Sequence, residues 1–286
     1  MGDTLAPHLI ALDVDGTIVG YDGSLSESVR RVLDRLAEEG HHLVISTGRA
    51  LPGALEVVHA LGIERGFVVC SNGSVVVRLD PELPLGWEMH HVVSFDPRDA
   101  LEKMREALPT ALFLVEDPDL HRWASAEFPA GELAESDTLD IVDFDELLTK
   151  RATRIVMREV NGTAEEFAAA VDRLGLHEVS YSVGWSNWLD IAPEGISKAS
   201  GLALVATELG VDHEHTIGAG DGLNDLEMIE WVAHAIVMGQ AKDELKALAT
   251  VVTGRIEDDG LATALVDHFD LDRTLLSAAG STDTRP

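Results

Sequence analysis

The chain has 286 residues, with 21 Lys and Arg against 51 Asp and Glu, a net charge of −30. That length gives one large domain or two ordinary ones, and 45% hydrophobic with 25% charged residues excludes a disordered, collagenous or coiled-coil chain. The acidic excess speaks against nucleic acid and anionic membranes as partners, because both are negatively charged and are held by Lys and Arg.

Taken in chain order, Leu9 to Leu12 is a short apolar run stopped by Asp13 and Gly16, the pattern of a buried strand. Ser24 and Glu27 have capping-box spacing, and Val29, Val32, Leu33 and Leu36 follow at helical spacing until Gly40. His42 to Ser46 reads as a second strand, and Pro52 opens a helix to about Ala60. Phe67 to Cys70 is a third strand, and Asn72-Gly73 turns it into a hairpin with Val75 to Val77. Strands alternating with amphipathic helices predict a parallel α/β sheet, Rossmann-like, with right-handed crossovers.

Residues 80–190 break the alternation. Most of the prolines fall here, with strand-like runs at 111–115, 154–157 and 179–183 and helical stretches at 97–108 and 164–174. This segment reads as an α+β insert, dividing the chain into a first core part (1–79), the insert (80–190) and a second core part (191–286). In that last part the sequence predicts helices at 197–209, 224–232, 241–249 and 261–269 and strands at 216–219 and 235–238, with the final dozen residues frayed. The one cysteine, Cys70, excludes an internal disulfide and a cysteine zinc site, and its apolar neighbours make it a core residue. No secretory signal and no apolar run of about 18 residues is seen, so a cytoplasmic location is expected.

Four short motifs carry chemistry. Asp13-Val14-Asp15-Gly16-Thr17 lies at the carboxyl end of the first strand, where ligands of open α/β sheets bind. Gly16 lets the chain turn, so that two carboxylates two residues apart can converge. A calcium loop is excluded, since its twelfth position would be Ser24 and not Glu. Gly220-Asp221-Gly222-Leu223-Asn224-Asp225 stands at another strand-to-helix junction, and its three carbonyl-bearing side chains suit a hard cation such as Mg²⁺ rather than a dinucleotide. Between them lie Thr47-Gly48-Arg49, after the second strand, and Ser197-Lys198, at a helix start. A hydroxyl, loop N–H groups, a lysine and a helix N-terminus are parts that hold phosphate.

In this order and at these positions, the motifs resemble those of the haloacid dehalogenase superfamily, in its Cof-type branch of sugar-phosphate phosphatases. Leu223 and Ala199 depart from the residues usual there, without touching a catalytic group. The 151 residues from Thr47 to Lys198 place the insert between the second and third motifs, where this branch carries a mobile cap. The resemblance implies an Mg²⁺-dependent phosphatase for a small phosphorylated metabolite, expected to be a sugar phosphate. Asp13 would be the nucleophile, forming an aspartyl-phosphate, and Asp15 the acid and then the base. Asp13, the backbone carbonyl of Asp15 and Asp221 would hold Mg²⁺. Thr47, Gly48, Lys198 and Asn224 would hold the phosphoryl oxygens, and Asp225 would orient Lys198 or a metal-bound water.

Two alternatives stay open: a phosphomutase of the same superfamily, and a non-catalytic regulator that binds a phosphometabolite. Asn72 has two readings, substrate contact or turn former. His41-His42, His90-His91 and His213-x-His215 look like metal pairs but read as surface or strand positions, since Mg²⁺ prefers oxygen. Trp185 and Trp188 read as packing between domains. Half of the acidic excess, a net −15, lies on residues 80–190. An anionic substrate must therefore find a local exception made by metal and Lys198, which predicts strict metal dependence and a poor fit for polyanions.

Overall fold

The computed structural model describes residues 6–133, 139–174, 179–183 and 187–276. Trp185 and the final residues, 277–286, lie outside them. In chain order the elements are β1 (Leu9–Leu12), α1 (Glu27–Glu38), β2 (His42–Ser46), α2 (Leu51–Ala60), β3 (Gly66–Cys70), β4 (Val75–Leu79) and β5 (Trp87–Val92). Then come α3 (Arg98–Ala107), β6 (Leu112–Glu116), β7 (Arg122–Ala124), β8 (Leu139–Ile141), α4 (Phe144–Leu147), β9 (Arg154–Arg158), α5 (Ala164–Arg173), β10 (Val179–Val183) and β11 (Trp188–Pro193). The chain closes with α6 (Lys198–Leu209), β12 (Thr216–Gly220), α7 (Leu226–Trp231), β13 (His234–Val237), α8 (Asp243–Lys246), β14 (Val251–Val252) and α9 (Gly260–Phe269). These elements pack as two compact units: residues up to Val44 together with those from Ala206 on, and residues Ile45–Val205.

In the first unit the strands run β14-β13-β12-β1-β2. β1 pairs with β12, β12 with β13 and β13 with β14, all parallel. Every residue of β1 is buried, as expected of a central strand covered on both faces. Helix α1 turns Val29, Val32, Leu33 and Leu36 inward. Its cap is Ser26, whose hydroxyl accepts the Ser28 N–H, and not Ser24. Ser24 instead closes a turn on Asp22, donating both its N–H (2.9 Å) and its hydroxyl (2.5 Å) to that carboxylate. A short carboxylate two residues upstream competes well for a serine N–H, which the helical spacing alone does not reveal.

In the second unit Ile45 and Ser46 of β2 pair in parallel with Val68 and Val69 of β3, and β3-β4-β5 continue antiparallel. A second sheet, ordered β10-β11-β9-β6-β7-β8, is antiparallel except for the β7–β8 pair. One face of it packs Phe113, Val115, Ile155, Met157, Leu189 and Ile191 against Leu101 and Met104 of α3 and Phe167 and Val171 of α5. The other face carries Leu114, Ala124 and Val156 with Trp188, and also the polar residues Glu116, Arg122, Arg154 and Asp190. Trp188 thus packs within this sheet, near Phe128, and its indole N–H donates to Asp190 at 3.0 Å. Among the described residues no helix is long and apolar enough to cross a membrane.

Candidate active site

In the first unit the geometry follows from strand register. Leu12 of β1 sits opposite Ala219 of β12, and the Asp13 N–H donates to the Ala219 carbonyl at 3.0 Å. Asp13 and Asp221 therefore emerge side by side at the carboxyl ends of neighbouring strands. Beyond Asp13 the chain curls over Val14, whose carbonyl accepts the N–H groups of Thr17, Ile18 and Val19. Gly16 makes this possible at φ +86°, and a Cβ there would fall 2.6 Å from the Asp221 carboxyl carbon and 2.6 Å from the Tyr21 hydroxyl.

Asp13, Asp221 and Asp225 each offer an oxygen within 4.8 Å of the others. Asp13 and Asp225 are buried, whereas Asp15 is exposed. Three carboxylates so close repel one another unless a cation joins them, and an all-oxygen donor set suits a hard ion of the Mg²⁺ kind. Asp225 also shapes its own loop, since its Oδ2 accepts the N–H groups of Asp221 (3.0 Å) and Gly222 (2.9 Å). A Cβ on Gly220 would lie 2.5 Å from the Asp225 carboxyl carbon, so that glycine leaves room for the acid.

Two neighbours of the carboxylates carry no motif. The Tyr21 hydroxyl donates to Asp221 Oδ2, and Gln240 donates to the same oxygen at 3.2 Å and to the Gly16 carbonyl at 2.6 Å. Burial, then the hydrogen bond to Asp221 and the nearby acidic charges, push the Tyr21 phenol well above its ordinary range. It therefore serves as a fixed donor at neutral pH.

In the second unit Thr47 follows β2 and is buried, with its N–H on the Val69 carbonyl (2.9 Å) and its hydroxyl accepting the Arg49 N–H (3.1 Å). Asn72 lies in the turn after β3 and donates its N–H to the Thr47 carbonyl at 3.1 Å. Lys198 is the first residue of α6 and has no exposed surface. A buried ammonium needs anionic or hydrogen-bonding company. Gly48 lies in the loop after Thr47, and Asn224 lies in the tight turn that precedes α7.

A family model described as haloacid dehalogenase-like hydrolase matches residues 10–265, which takes in all four motifs. The chain belongs to that family. Within it, YkrA of Bacillus subtilis, which carries a phosphatase name, is 30% identical over 90% of this chain and 96% of its own length. A 5-amino-6-(5-phospho-D-ribitylamino)uracil phosphatase of the same organism, YitU, is 26% identical over 93% of this chain and 98% of its own. Among solved structures, the subclass IIB sugar phosphatase BT4131 superposes with a TM-score of 0.76 at 20% identity, covering 92% of this chain and 99% of that one. At that identity the likeness concerns the fold, an α/β parallel-sheet core with an added α+β region. This haloacid dehalogenase-like hydrolase is an enzyme of the phosphatase class.

Proposed function

We propose that this hydrolase releases phosphate from a small phosphorylated metabolite, of the sugar-phosphate kind, through an aspartyl-phosphate on Asp13. The observation that carries the reading is the carboxylate trio Asp13, Asp221 and Asp225 at the strand ends, with exposed Asp15 two residues beyond Asp13. An Mg²⁺ ion held by Asp13, Asp221 and the Asp15 carbonyl would neutralise the phosphate charge and align it for in-line attack. Asp225, whose oxygens lie in the same group, supports that site from behind by fixing the loop.

The remaining steps belong to the chain. An Asp13 oxygen attacks phosphorus and the bond to the ester oxygen breaks, while protonated Asp15 gives its proton to the departing alkoxide. Asp15, now a carboxylate, takes a proton from water as that water attacks phosphorus. The Asp13–phosphorus bond breaks and inorganic phosphate leaves. Thr47, Gly48, Lys198 and Asn224 hold the phosphoryl oxygens, and residues 80–190 act as a cap that selects the leaving group. The names of the relatives, one an aminouracil phosphatase and another a sugar phosphatase, support small monoesters as the substrate class.

The test is phosphate release from an aryl phosphate and from a panel of sugar phosphates, with Mg²⁺ and with a chelator. Turnover should vanish with the chelator and fall at least ~10³-fold in Asp13→Asn. Chelator-resistant turnover, or an active Asp13→Asn, sinks the mechanism. Isomer interconversion without net phosphate release points to a mutase, and binding without any turnover points to a regulator.

A further inference from the structure

The turn after β3 is unusual in its backbone. Ser71, Asn72 and Gly73 stand at φ of +48°, +52° and +100°, three successive residues in the left-handed region. For Ser and Asn this conformation is costly and persists only where the surroundings enforce it. Part of that enforcement comes from the turn's own neighbours. The Ser71 N–H donates to the Arg49 carbonyl at 2.9 Å, and the Asn72 N–H to the Thr47 carbonyl at 3.1 Å. Gly73 lies so near the start of α6 that a Cβ would sit 2.7 Å from the Ser197 carbonyl carbon and 3.4 Å from the Lys198 backbone nitrogen.

The other part comes from the insert. The Ser71 hydroxyl donates to Glu116 Oε1 at 2.6 Å, and neither residue has more than 1% of its surface exposed. Glu116 is the last residue of β6, in register with Arg122 of β7 on one side and Arg154 of β9 on the other. Its carbonyl is clamped by both the N–H (2.8 Å) and the hydroxyl (3.0 Å) of Thr153. Burying a glutamate at this position is expensive. Arg122 and Arg154, buried on the same face, offset part of that cost, and the Ser71 hydroxyl answers one carboxylate oxygen. Burial moves the carboxyl upward, against the pull of Arg154, Ser71 and Arg122.

We propose that Glu116 is a positioning residue for the reaction: from the insert's sheet it locks Ser71, and through that turn it sets Thr47 and the α6 start at Lys198. The proposal rests on the phosphatase reading above, because Thr47 and Lys198 are the groups which that reading assigns to the phosphoryl oxygens. It also makes the insert an accessory to phosphate binding itself, beyond any role toward the leaving group.

The experiment uses the full chain with Mg²⁺ and compares wild type with Glu116→Ala, Glu116→Gln, Ser71→Ala and Glu159→Ala. Glu159 is another buried acid of the insert, next after β9, whose carboxylate accepts the Thr110 hydroxyl at 2.9 Å, and it controls for general damage to the insert. Aryl phosphate kinetics, inhibition by inorganic phosphate, phosphate binding by calorimetry and melting temperature are read for each. Glu116→Ala and Ser71→Ala should weaken phosphate binding and inhibition and lower kcat/KM by about ten-fold or more, since small misplacement of a binding group is costly. Glu116→Gln, which still accepts the serine hydroxyl, should stay within about three-fold of wild type. Glu159→Ala should lower the melting temperature and leave the phosphate constants alone. If Glu116→Ala behaves like Glu159→Ala, the proposal fails, and if Glu116→Ala does not fold, Ser71→Ala decides on the same terms. A wild-type chain that binds phosphate but turns over no ester overturns the phosphatase reading alone, and the binding constants of the variants still decide the role of Glu116.

Discussion

At the residue scale, Gly16 joins backbone geometry to chemistry more tightly than the acids it sits among. Its left-handed φ and the missing Cβ let Asp221, Tyr21 and Gln240 close on one another over its backbone. Gly16→Ala strains the loop and displaces the Asp221 carboxylate at once. The expected cost is about 1–3 kcal/mol in stability and a fall of about 100-fold in turnover with a raised Mg²⁺ requirement. Denaturant unfolding and Mg²⁺ titration of the rate measure the two effects, and a variant with the wild-type Mg²⁺ curve removes Gly16 from the site. Asp13 and Asp221 were legible in the sequence because each sits in a short motif where a strand stops. Tyr21 and Gln240 were not, because they reach Asp221 or Gly16 across 200 and 224 residues of chain, and no local spacing encodes that approach.

At the element scale, the approach of α6 to β3 turns on Gly201. Glycine inside a helix costs about 1 kcal/mol relative to alanine, so Gly201→Ala on an isolated helix would stabilise. Here the added methyl would lie 2.7 Å from Val69 Cγ1 and 3.3 Å from the Gly73 α-carbon, against a buried strand and the left-handed turn. Overpacking of that kind costs about 1–3 kcal/mol, so the net effect should be destabilising. A denaturant midpoint raised by Gly201→Ala would contradict this close packing. The periodic signals gave β1, α1, β2, α2, β3, β12 and α9 to within a residue or two, since a core element must show one apolar face or a fully apolar run. The insert was less legible. β7 and β8 have three residues each, too few for a period, and β5 alternates only weakly between exposed and half-buried positions. The helix expected over 224–232 is broken, because Asp225 folds back onto the loop amides in a tight turn before α7 begins.

At the scale of the whole chain, the acidic excess draws the eye first, yet the titration that should govern stability near neutral pH lies in histidines of the first unit. His8 precedes β1, His41 precedes β2, His215 precedes β12 and His234 opens β13, all at the amino ends of strands, and two of these strands, β1 and β12, lead to Asp13 and Asp221 at their carboxyl ends. The ring of His8 lies 5.2 Å from that of His41 and 5.1 Å from that of His215, while the rings of His234 and His268 are 4.2 Å apart. Phe269 packs against His8, His41 and His268. Burial, with the neighbouring imidazoles, holds His8 and His268 below the ordinary range, His268 at about 4. Burial also lowers His41 and His234, with Glu39 opposing it at His41. His41 must in addition stay unprotonated at Nδ1, which accepts the His8 N–H at 3.0 Å. The unfolded chain, with imidazoles near 6.5, therefore binds more protons than the folded one as pH falls through that value. This contribution is complete above about pH 7.5 and is lost progressively on acidification toward the lowered folded values. Most Asp and Glu titrate below pH 5, and the raised carboxyl of buried Glu116 would favour the fold on acidification, so a steady fall in urea midpoints between pH 7.5 and 5.5 is the expected mark of the histidines. His41→Gln and His268→Gln should each flatten that slope, although His41→Gln starts from a lower midpoint at pH 7.5 because it disturbs buried packing. Slopes identical to wild type in both variants would move the acid sensitivity out of this cluster and back onto the carboxylates.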